Sequence, residues 1–592
     1  MKLPILLIVV LILAATGAVA ELPDGYWSEE QTRPILDTML RVTLDPDLKN
    51  LTQSELRALD ELLAAGRIMH QLYAEQRHAQ AASALQALES LHASSGRLAA
   101  TQNLRDLFYV SKGPIVTTLD NERLPFLPVA AEQPGKNVYP DGLEREEIDA
   151  WLANNPAAAE RLLDVRSVVR RATSENLAAD LARLTEHLEL DALHPDLRQR
   201  LEQTESDDGF YAVPYALAYA PRLRTIKQHL DAAADTLKDE SPDFAAYLRN
   251  RGRDLLTGDY ESGDAAWVSG EFAGLNVQIG SYETYDDNLL GVKAFYSASI
   301  MARDEAKSRE LEAAIAELQS IENSLPYDHQ KIVRSRIPVG VYKVIADFGQ
   351  ARGANTATIL PNNADYARKY GRTILMRYNI LTNPELFANR KQRFDAVADA
   401  AYRDDLTAEG GFSRTLWHEV GHYLGVSKTA DGRELDAALV DHASLFEELK
   451  ADLVSLFAAT ALLELDYHDT DSLRAHYSDG IRRTLQDVKP RAEQAYQTMQ
   501  LLQFNFFMEY GLLGADPVTG LLTVDYDRYH EVVTAMLREV LQIQYSGDYE
   551  LADEFVNRWN YWEEALHGHL VQRMRDSGSY RRTMVRYAAL SE

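Results

Sequence analysis

The sequence contains no cysteine among its 592 residues. This absence excludes disulfide bonds, thiolate metal sites and cysteine nucleophiles, so any metal site must be built from histidine and carboxylate side chains. Positive charge is also scarce, because 61 lysine and arginine residues stand against 90 aspartate and glutamate residues, and the formal net charge is −29. Such an acidic chain argues against a nucleic-acid partner, since phosphate binding needs a basic surface.

Long apolar runs are lacking after the N-terminus. The one such run extends from Leu3 to Ala15, follows Lys2 and precedes the small residues Ala18-Val19-Ala20. It is shorter than the roughly 20 residues that a membrane-spanning helix needs, and its layout is typical of a secretory signal. We expect residues 1–20 to be a signal peptide and the mature chain to be exported, periplasmic and not inserted in a membrane. An uncleaved N-terminal anchor is the alternative.

Hydrophobic spacing predicts a mostly helical chain with a small β element in its middle. Thr52 and Glu55 have the spacing of a capping box at a helix start, and the alternation typical of strands is clearest over 336–348. The predicted helical stretches are 27–107, 144–204, 216–256 and 411 to the C-terminus, the irregular stretches are 109–145 and 267–285, and the predicted strands are 336–348, 356–360 and 373–377.

One motif carries chemistry: Trp417-His418-Glu419-Val420-Gly421-His422. On a helix, His418 and His422 lie one turn apart on the same face, where two imidazole nitrogens can bind one zinc ion. Glu419 is placed to take a proton from a water at the metal, so the segment has the HExxH arrangement of two ligands and a general base. The alternative is an accidental match in a chain with 15 histidines.

A catalytic zinc site needs a third protein ligand. The scheme with a third histidine fails, because its last position is Lys428 and a protonated lysine cannot bind zinc. The segment Phe446 to Asp452 offers Glu448 as the third ligand instead, with Glu447 and Asp452 as acceptors for the free N–H groups of the histidines. An acidic solvent-facing turn is the alternative reading, and Asp441-His442 is a rival source of a ligand.

The chain resembles the zinc metallopeptidases of the dipeptidyl peptidase III type, and most closely their bacterial and plant branch with the short HExxH motif. The resemblance extends over nearly the whole mature chain. Besides HEVGH and EELKAD, the segments that carry it are LTQSELRALDELLAAGRIM (51–69), SKGPIVTTLD (111–120), GKNVYPDGLEREEIDAWLANNP (135–156), AVPYALAYAPRL (212–223), IGSYETYDDNLLGVKA (279–294), LPNNADYARKYG (360–371) and LQIQYSGDYELA (541–552).

This resemblance implies a fold and a set of roles. The implied fold is mainly α with a small β-barrel, and it has two lobes around a wide cleft. The first is a mixed α/β lobe over 21–390, which can lend a helical segment to the other lobe. The second is a helical zinc-binding lobe over 391–592. One zinc ion is the implied cofactor. The implied zinc ligands are His418, His422 and Glu448, the catalytic base is Glu419, and Glu447 and Asp452 hold the ligand histidines.

The resemblance also implies the substrate: an oligopeptide with a free N-terminus, cleaved after its second residue. Glu283 and Tyr285 match a segment expected to line the cleft, although a purely structural role is equally compatible. The family's peptide-positioning Asn-x-Pro-Asn motif reads here from Ile359 to Asn362, so only the second asparagine is present. We expect Asn362 to bind substrate.

A second departure concerns catalysis. A family histidine thought to stabilise the transition state aligns with Tyr496. The Tyr496 hydroxyl could donate a hydrogen bond to an oxyanion. The alternative is that Tyr496 is a packed core aromatic. The arginine that the family places one helical turn after this histidine aligns with Gln500. These departures leave open a zinc-containing peptide-binding protein without turnover, a zinc peptidase of different positional specificity, and hydrolysis of a non-peptide substrate. The sequence does not predict the oligomeric state.

Overall fold

The computed structural model describes residues 22–120, 122–206, 209–333, 338–351, 355–361, 363–490 and 494–590. The predicted signal peptide lies outside these ranges and stays a prediction. No helix in the described ranges is long and apolar enough to cross a membrane.

The chain is mainly helical, as predicted. The helices of the described ranges are α1 (Glu29–Leu36), α2 (Gln53–Arg77), α3 (Ala81–Ser94), α4 (Ala99–Ser111), α5 (Arg145–Asn154), α6 (Ala159–Leu162), α7 (Ser174–Glu186), α8 (Leu188–Leu193), α9 (Leu197–Gln203), α10 (Tyr215–Ala218), α11 (Ala220–Leu237), α12 (Pro242–Thr257), α13 (Glu261–Ser269), α14 (Glu305–Ala314), α15 (Leu318–Ser324), α16 (Ala364–Tyr370), α17 (Tyr378–Leu381), α18 (Pro384–Asp395), α19 (Ala408–Gly421), α20 (Leu435–Leu439), α21 (Ala443–Glu464), α22 (Thr470–Thr484), α23 (Ala495–Glu509), α24 (Tyr529–Ser546), α25 (Tyr549–Trp559) and α26 (His569–Asp576). The strands are β1 (Met39–Leu44), β2 (Ile115–Thr117), β3 (Arg123–Pro125), β4 (Ser167–Arg171), β5 (Phe210–Pro214), β6 (Leu275–Glu283), β7 (Phe295–Arg303), β8 (Val339–Gly349), β9 (Ala357–Leu360), β10 (Thr373–Arg377), β11 (Leu513–Ala515), β12 (Leu522–Val524) and β13 (Arg582–Tyr587).

The chain divides into two compact units. The smaller unit comprises residues up to Asp37 together with His78–Glu132. It contains α1, α3, α4 and the antiparallel pair β2–β3. In this unit, Trp27 packs edge-to-face on Phe126, with ring centroids 6.4 Å apart.

The larger unit comprises Thr38–Arg77 and Gln133–Glu592. It contains a five-stranded sheet in the order β6-β7-β8-β10-β9. Strands β8 and β10 are parallel and the other neighbours are antiparallel. This sheet curls as a half-barrel, so the predicted small β-barrel is present in open form. Strands β8, β9 and β10 lie where the sequence predicts them.

The described part of the larger unit has two hydrophobic cores. One is built on α2, α11, α12 and strands β6 to β8, with Leu72, Leu230 and Val277 fully buried. The other is built on α19, α21, α23 and α24, with Trp417 and Leu449 fully buried. The second core also includes residues before position 390, such as Leu311, Val341 and Met376, and the predicted division into lobes at 390/391 stays a prediction.

Several local predictions were wrong. The stretch predicted as irregular over 267–285 contains all of β6, and the C-terminal part predicted as helical contains β11, β12 and β13. The helical stretch 27–107 is interrupted by β1, and 144–204 by β4. The capping box is confirmed: the Thr52 amide donates to Glu55 at 2.9 Å, and the Glu55 amide donates to the Thr52 hydroxyl at 3.1 Å.

Candidate metal centre

Helix α19 carries the HExxH motif. The side chain of Thr407 accepts a hydrogen bond from the amide of Gly410 and caps the helix start. His418 lies in the last turn, and His422 follows the helix with helical backbone angles (φ −65°, ψ −21°). The four-residue spacing therefore puts both imidazole rings on one face, with centroids 5.1 Å apart.

Gly421 allows helix α21 to pack closely on α19. A Cβ atom at this position would lie 2.6 Å from the carbonyl oxygen of Ala451, which is shorter than real Cβ contacts. The glycine inside the motif thus permits an approach that any other residue would obstruct. This approach brings the acidic segment of α21 against the two histidines.

Glu448 completes a group of three potential metal ligands. Its Oε2 atom lies 3.3 Å from Nε2 of His418 and 3.8 Å from Nε2 of His422. One ligand atom from each residue lies within 4.8 Å of the others. Tetrahedral zinc with bonds of about 2.0–2.2 Å separates its ligand atoms by roughly 3.3–3.5 Å. The group therefore has the dimensions of a zinc site.

A buried polar atom in this group supports the same conclusion. The Oε2 atom of Glu448 is buried and accepts no hydrogen bond from the described residues. A buried carboxylate oxygen without a donor is costly, and a cation between it and the two Nε2 atoms would remove that cost. Two imidazoles and one carboxylate are the ligand set of a catalytic zinc site that keeps an open position.

Both histidines are held from behind by carboxylates. The Nδ1 atom of His418 lies 2.7 Å from Oδ1 of Asp452, and Nδ1 of His422 lies 2.7 Å from Oε1 of Glu447. Protons on the Nδ1 atoms leave the Nε2 lone pairs directed at the metal position. Burial lowers the pKa of His418, but its contacts with the carboxylates of Asp452 and Glu448 outweigh burial and raise it to about 9.

Three further residues hold these carboxylates, and the sequence analysis missed them. Arg414 Nη1 donates to Asp452 at 2.5 Å, and Gln503 Nε2 donates to its other oxygen at 3.1 Å. Lys450 Nζ donates to Glu447 at 2.9 Å and to the carbonyl oxygens of Gly421 and Leu424. The signals were present for two of them: Arg414 precedes His418 by one helical turn, and Lys450 lies inside EELKAD.

The remaining candidates for catalysis lie at the same group. The hydroxyl of Tyr496 donates to Oε1 of Glu448 at 2.8 Å. Burial raises the pKa of Tyr496, and the nearby Glu448, Tyr285 and Glu419 raise it further. The side chain of Tyr285 is 70% exposed; partial desolvation, followed by the effects of Glu283 and Glu448, raises its pKa. Tyr496 therefore contacts the candidate ligand Glu448, and the charge of Glu448 also reaches Tyr285.

Glu283 and Asn362 are the other two residues that we expect to bind substrate. Glu283 is the last residue of β6, beside a β-bulge between Ser281 and Glu283. Asn362 lies outside the described residues and stays a prediction.

Asp441-His442, the rival source of a third ligand, does not join the histidine pair in the described residues. His442 lies 3.2 Å from Asp553 and stacks on Tyr549, and the described residues hold no potential ligand group that includes it. Lys428 forms an ion pair with Glu434 at 2.7 Å, away from the ligand group. The Gln500 amide oxygen accepts a hydrogen bond from Gln486.

A single buried aspartate fixes the loop that follows Tyr285. The carboxylate of Asp287 accepts hydrogen bonds from four backbone amides, those of Leu289, Leu290, Val292 and Lys293. The hydroxyl of Tyr139 also donates to it at 2.8 Å. Two segments that carry the resemblance, GKNVYPDGL and SYETYDDNLLGVKA, are thereby joined.

Replacing Asp287 with alanine should lower the free energy of unfolding by roughly 4 kcal/mol, because several partly buried amides lose their acceptor. Tyr139→Phe is the matched control and removes one hydrogen bond, at a cost of about 1 kcal/mol. Urea denaturation measures both changes. Equal destabilisation by the two substitutions would contradict the role given to the aspartate.

Comparison with known proteins shows the fold. The chain is similar to the structure of DPP III from Caldithrix abyssi, with a TM-score of 0.78 and 24% sequence identity over 94% of this chain and 99% of that one. It is also similar to dipeptidyl-peptidase III from Corallococcus sp. strain EGB, with a TM-score of 0.76 and 24% identity over 95% of this chain and 98% of that one. Nudix hydrolase 3 of Arabidopsis thaliana is 25% identical over 555 residues, covering 88% of this chain and 69% of the plant protein. The chain matches no protein-family profile.

Proposed function

We propose that the protein is a zinc-dependent peptidase that releases dipeptides from the N-terminus of oligopeptides. One observation carries the proposal: the buried Oε2 atom of Glu448, without a hydrogen-bond donor, faces the Nε2 atoms of His418 and His422. Two solved structures that share the fold are dipeptidyl peptidases III. Their activity supports a peptide substrate for this chain.

His418, His422 and Glu448 would hold the zinc ion, and Glu447 and Asp452 would keep the two imidazoles in the binding tautomer. A bound zinc ion would supply Lewis acidity toward a water molecule and the scissile carbonyl. Neither Glu447 nor Asp452 is then available as a general base, because each carboxylate already accepts from a histidine and from a buried cation.

Glu419 is the base in this proposal. Its carboxylate has no hydrogen-bond or ion-pair partner among the described residues, so it is available to accept a proton from the attacking water and to pass it to the leaving amine. Tyr496 keeps its proton at neutral pH, as an ordinary tyrosine does, and its raised pKa widens that range. Its single proton is donated to Oε1 of Glu448, so it would stabilise negative charge on the scissile carbonyl oxygen only by exchanging that hydrogen bond for one to the substrate.

Cleavage after the second residue requires recognition of the peptide N-terminus. The carboxylate of Glu283 and the side chains of Tyr285 and Asn362 are the groups we propose for it. The pKa of Tyr285 responds to both Glu283 and Glu448, which supports placing Tyr285 near both the recognition group and the candidate zinc ligand. This position supports a short distance between the bound N-terminus and the scissile bond.

The test is product mapping on matched peptides with free and acetylated N-termini, with zinc content measured on the same protein. We expect dipeptides from the free peptides by mass spectrometry, and slow or no cleavage of the acetylated ones. Equal cleavage of both kinds would identify a zinc peptidase of different positional specificity. Peptide binding by zinc-loaded protein without any product would identify a binding protein instead of an enzyme.

A further inference from the structure

Two adjoining cavities lie in the larger unit, away from the histidine pair. Their volumes are about 420 and 240 Å³. Both are bounded by α6, α9 and β5, and they share the side chains of Arg161, Arg200 and Ala212. The two arginines therefore stand where one cavity meets the other.

Neither arginine has an ion-pair partner in the described part of the chain. The one hydrogen bond of the Arg200 side chain is long, 3.4 Å from Nε to the carbonyl oxygen of Asp196. Burial lowers the pKa of Arg200, and the positive charge of Arg161 lowers it further. Arg198, on the same helix, differs: it forms an ion pair with Asp191 at 2.6 Å.

The lining of the two cavities differs in character. The larger one is charged and includes Arg166 and the acidic residues Glu160, Asp164 and Asp196. Asp164 accepts a hydrogen bond from the amide of Arg166 at 2.7 Å. The smaller cavity is lined on one side by buried apolar side chains. These are Leu162, Leu197, Leu201 and Phe210.

We propose that Arg161 and Arg200 bind the dianionic group of a phosphate monoester whose apolar body occupies the smaller cavity. A dianion neutralises two facing guanidinium groups, and each guanidinium can donate two parallel hydrogen bonds to phosphate oxygens. The chain as a whole has a charge of −29, which repels anions at its surface. Glu160, Asp164 and Asp196 line the larger cavity, and Asp196 attracts Arg200. The residues that line the smaller cavity include both arginines and no carboxylate, so the side of the junction that faces it is a local exception to that field.

The test uses phenyl phosphate as the probe and calorimetric titration of the full-length protein. We expect one binding site, with the affinity lowered about tenfold or more by Arg200→Gln or by Arg161→Gln. Arg198→Gln is the matched control and should leave the affinity unchanged. Inorganic phosphate should bind more weakly, because it cannot fill the apolar cavity, and benzoate more weakly, because it carries one charge.

Three outcomes would overturn the proposal. The first is unchanged affinity in Arg200→Gln and Arg161→Gln, and the second is an equal loss in Arg198→Gln. The third is equal affinity for inorganic phosphate, benzoate and phenyl phosphate. If Arg200→Gln fails to fold, as judged by circular dichroism, the exposed Arg161 gives the decisive variant. Zinc content should stay constant throughout, so failure here leaves the proposed peptidase function untouched.

Discussion

Replacing Glu419 with glutamine should slow peptide hydrolysis by about 10²- to 10⁴-fold, the usual contribution of a positioned acid–base group. Glutamine has the size of glutamate but cannot accept the proton of the attacking water. The carboxylates that contact the histidine nitrogens are Glu447, Glu448 and Asp452. The Glu419→Gln variant should therefore keep its zinc content while its kcat falls.

The measurement combines kcat on an unblocked peptide with metal analysis of the same protein. Glu385→Gln is a suitable control, because Glu385 is an exposed acid in the first turn of α18, and it should retain wild-type kcat and zinc content. Near wild-type hydrolysis by Glu419→Gln would remove Glu419 as the base. Joint loss of zinc and activity would instead make Glu419 part of the metal site.

The arrangement of the candidate centre could be predicted from sequence because it depends on local geometry. A spacing of four residues fixes His418 and His422 on one helix face. Glu448 was found because the acidic segment has the same periodicity on the next helix. What joins the two helices is Gly421, whose missing side chain permits close packing. That close contact is tertiary information, which the motif alone does not contain.

The missed strands have a physical reason. All residues of β6 and β7 except the last of each are buried, and β7 shows no clean apolar and polar alternation. Strand β6 does alternate from Leu275 to Ile279, but its polar residues are buried too, and the glycines around it favoured an irregular stretch. Strand β1 pairs with β13, whose residues Arg582–Tyr587 lie at the far end of the chain. Pairing of that kind leaves no local signal. Arg414 was missed for another reason: its position one turn before His418 is visible in the sequence, but its burial follows only from the carboxylates that surround it, Asp452 and Asp479.

The two carboxylates behind the histidines should respond differently to loss of charge. Asp452 is 3% exposed and forms an ion pair with Arg414, which is also 3% exposed. Burial raises the pKa of Asp452, but Arg414 and His418 outweigh burial and hold it well below its usual value. The side chain of Glu447 is 36% exposed, and its partner Lys450 also donates to two carbonyl oxygens.

Asp452→Asn and Glu447→Gln should each lower zinc affinity by about 10- to 100-fold, because each weakens the hydrogen bond that orients a ligand histidine. Asp452→Asn should also destabilise the zinc-stripped protein by about 3 kcal/mol, since it leaves the buried Arg414 with one carboxylate partner, Asp479. For Glu447→Gln a smaller loss of about 1–2 kcal/mol is expected, because Lys450 is also buried but keeps two carbonyl acceptors, and Glu447 is partly exposed. Competition with a chromogenic chelator measures the affinities, and urea denaturation measures the stabilities. Equal destabilisation by both substitutions would contradict the role of Arg414, and wild-type zinc affinity in both would show that these hydrogen bonds do not orient the ligands.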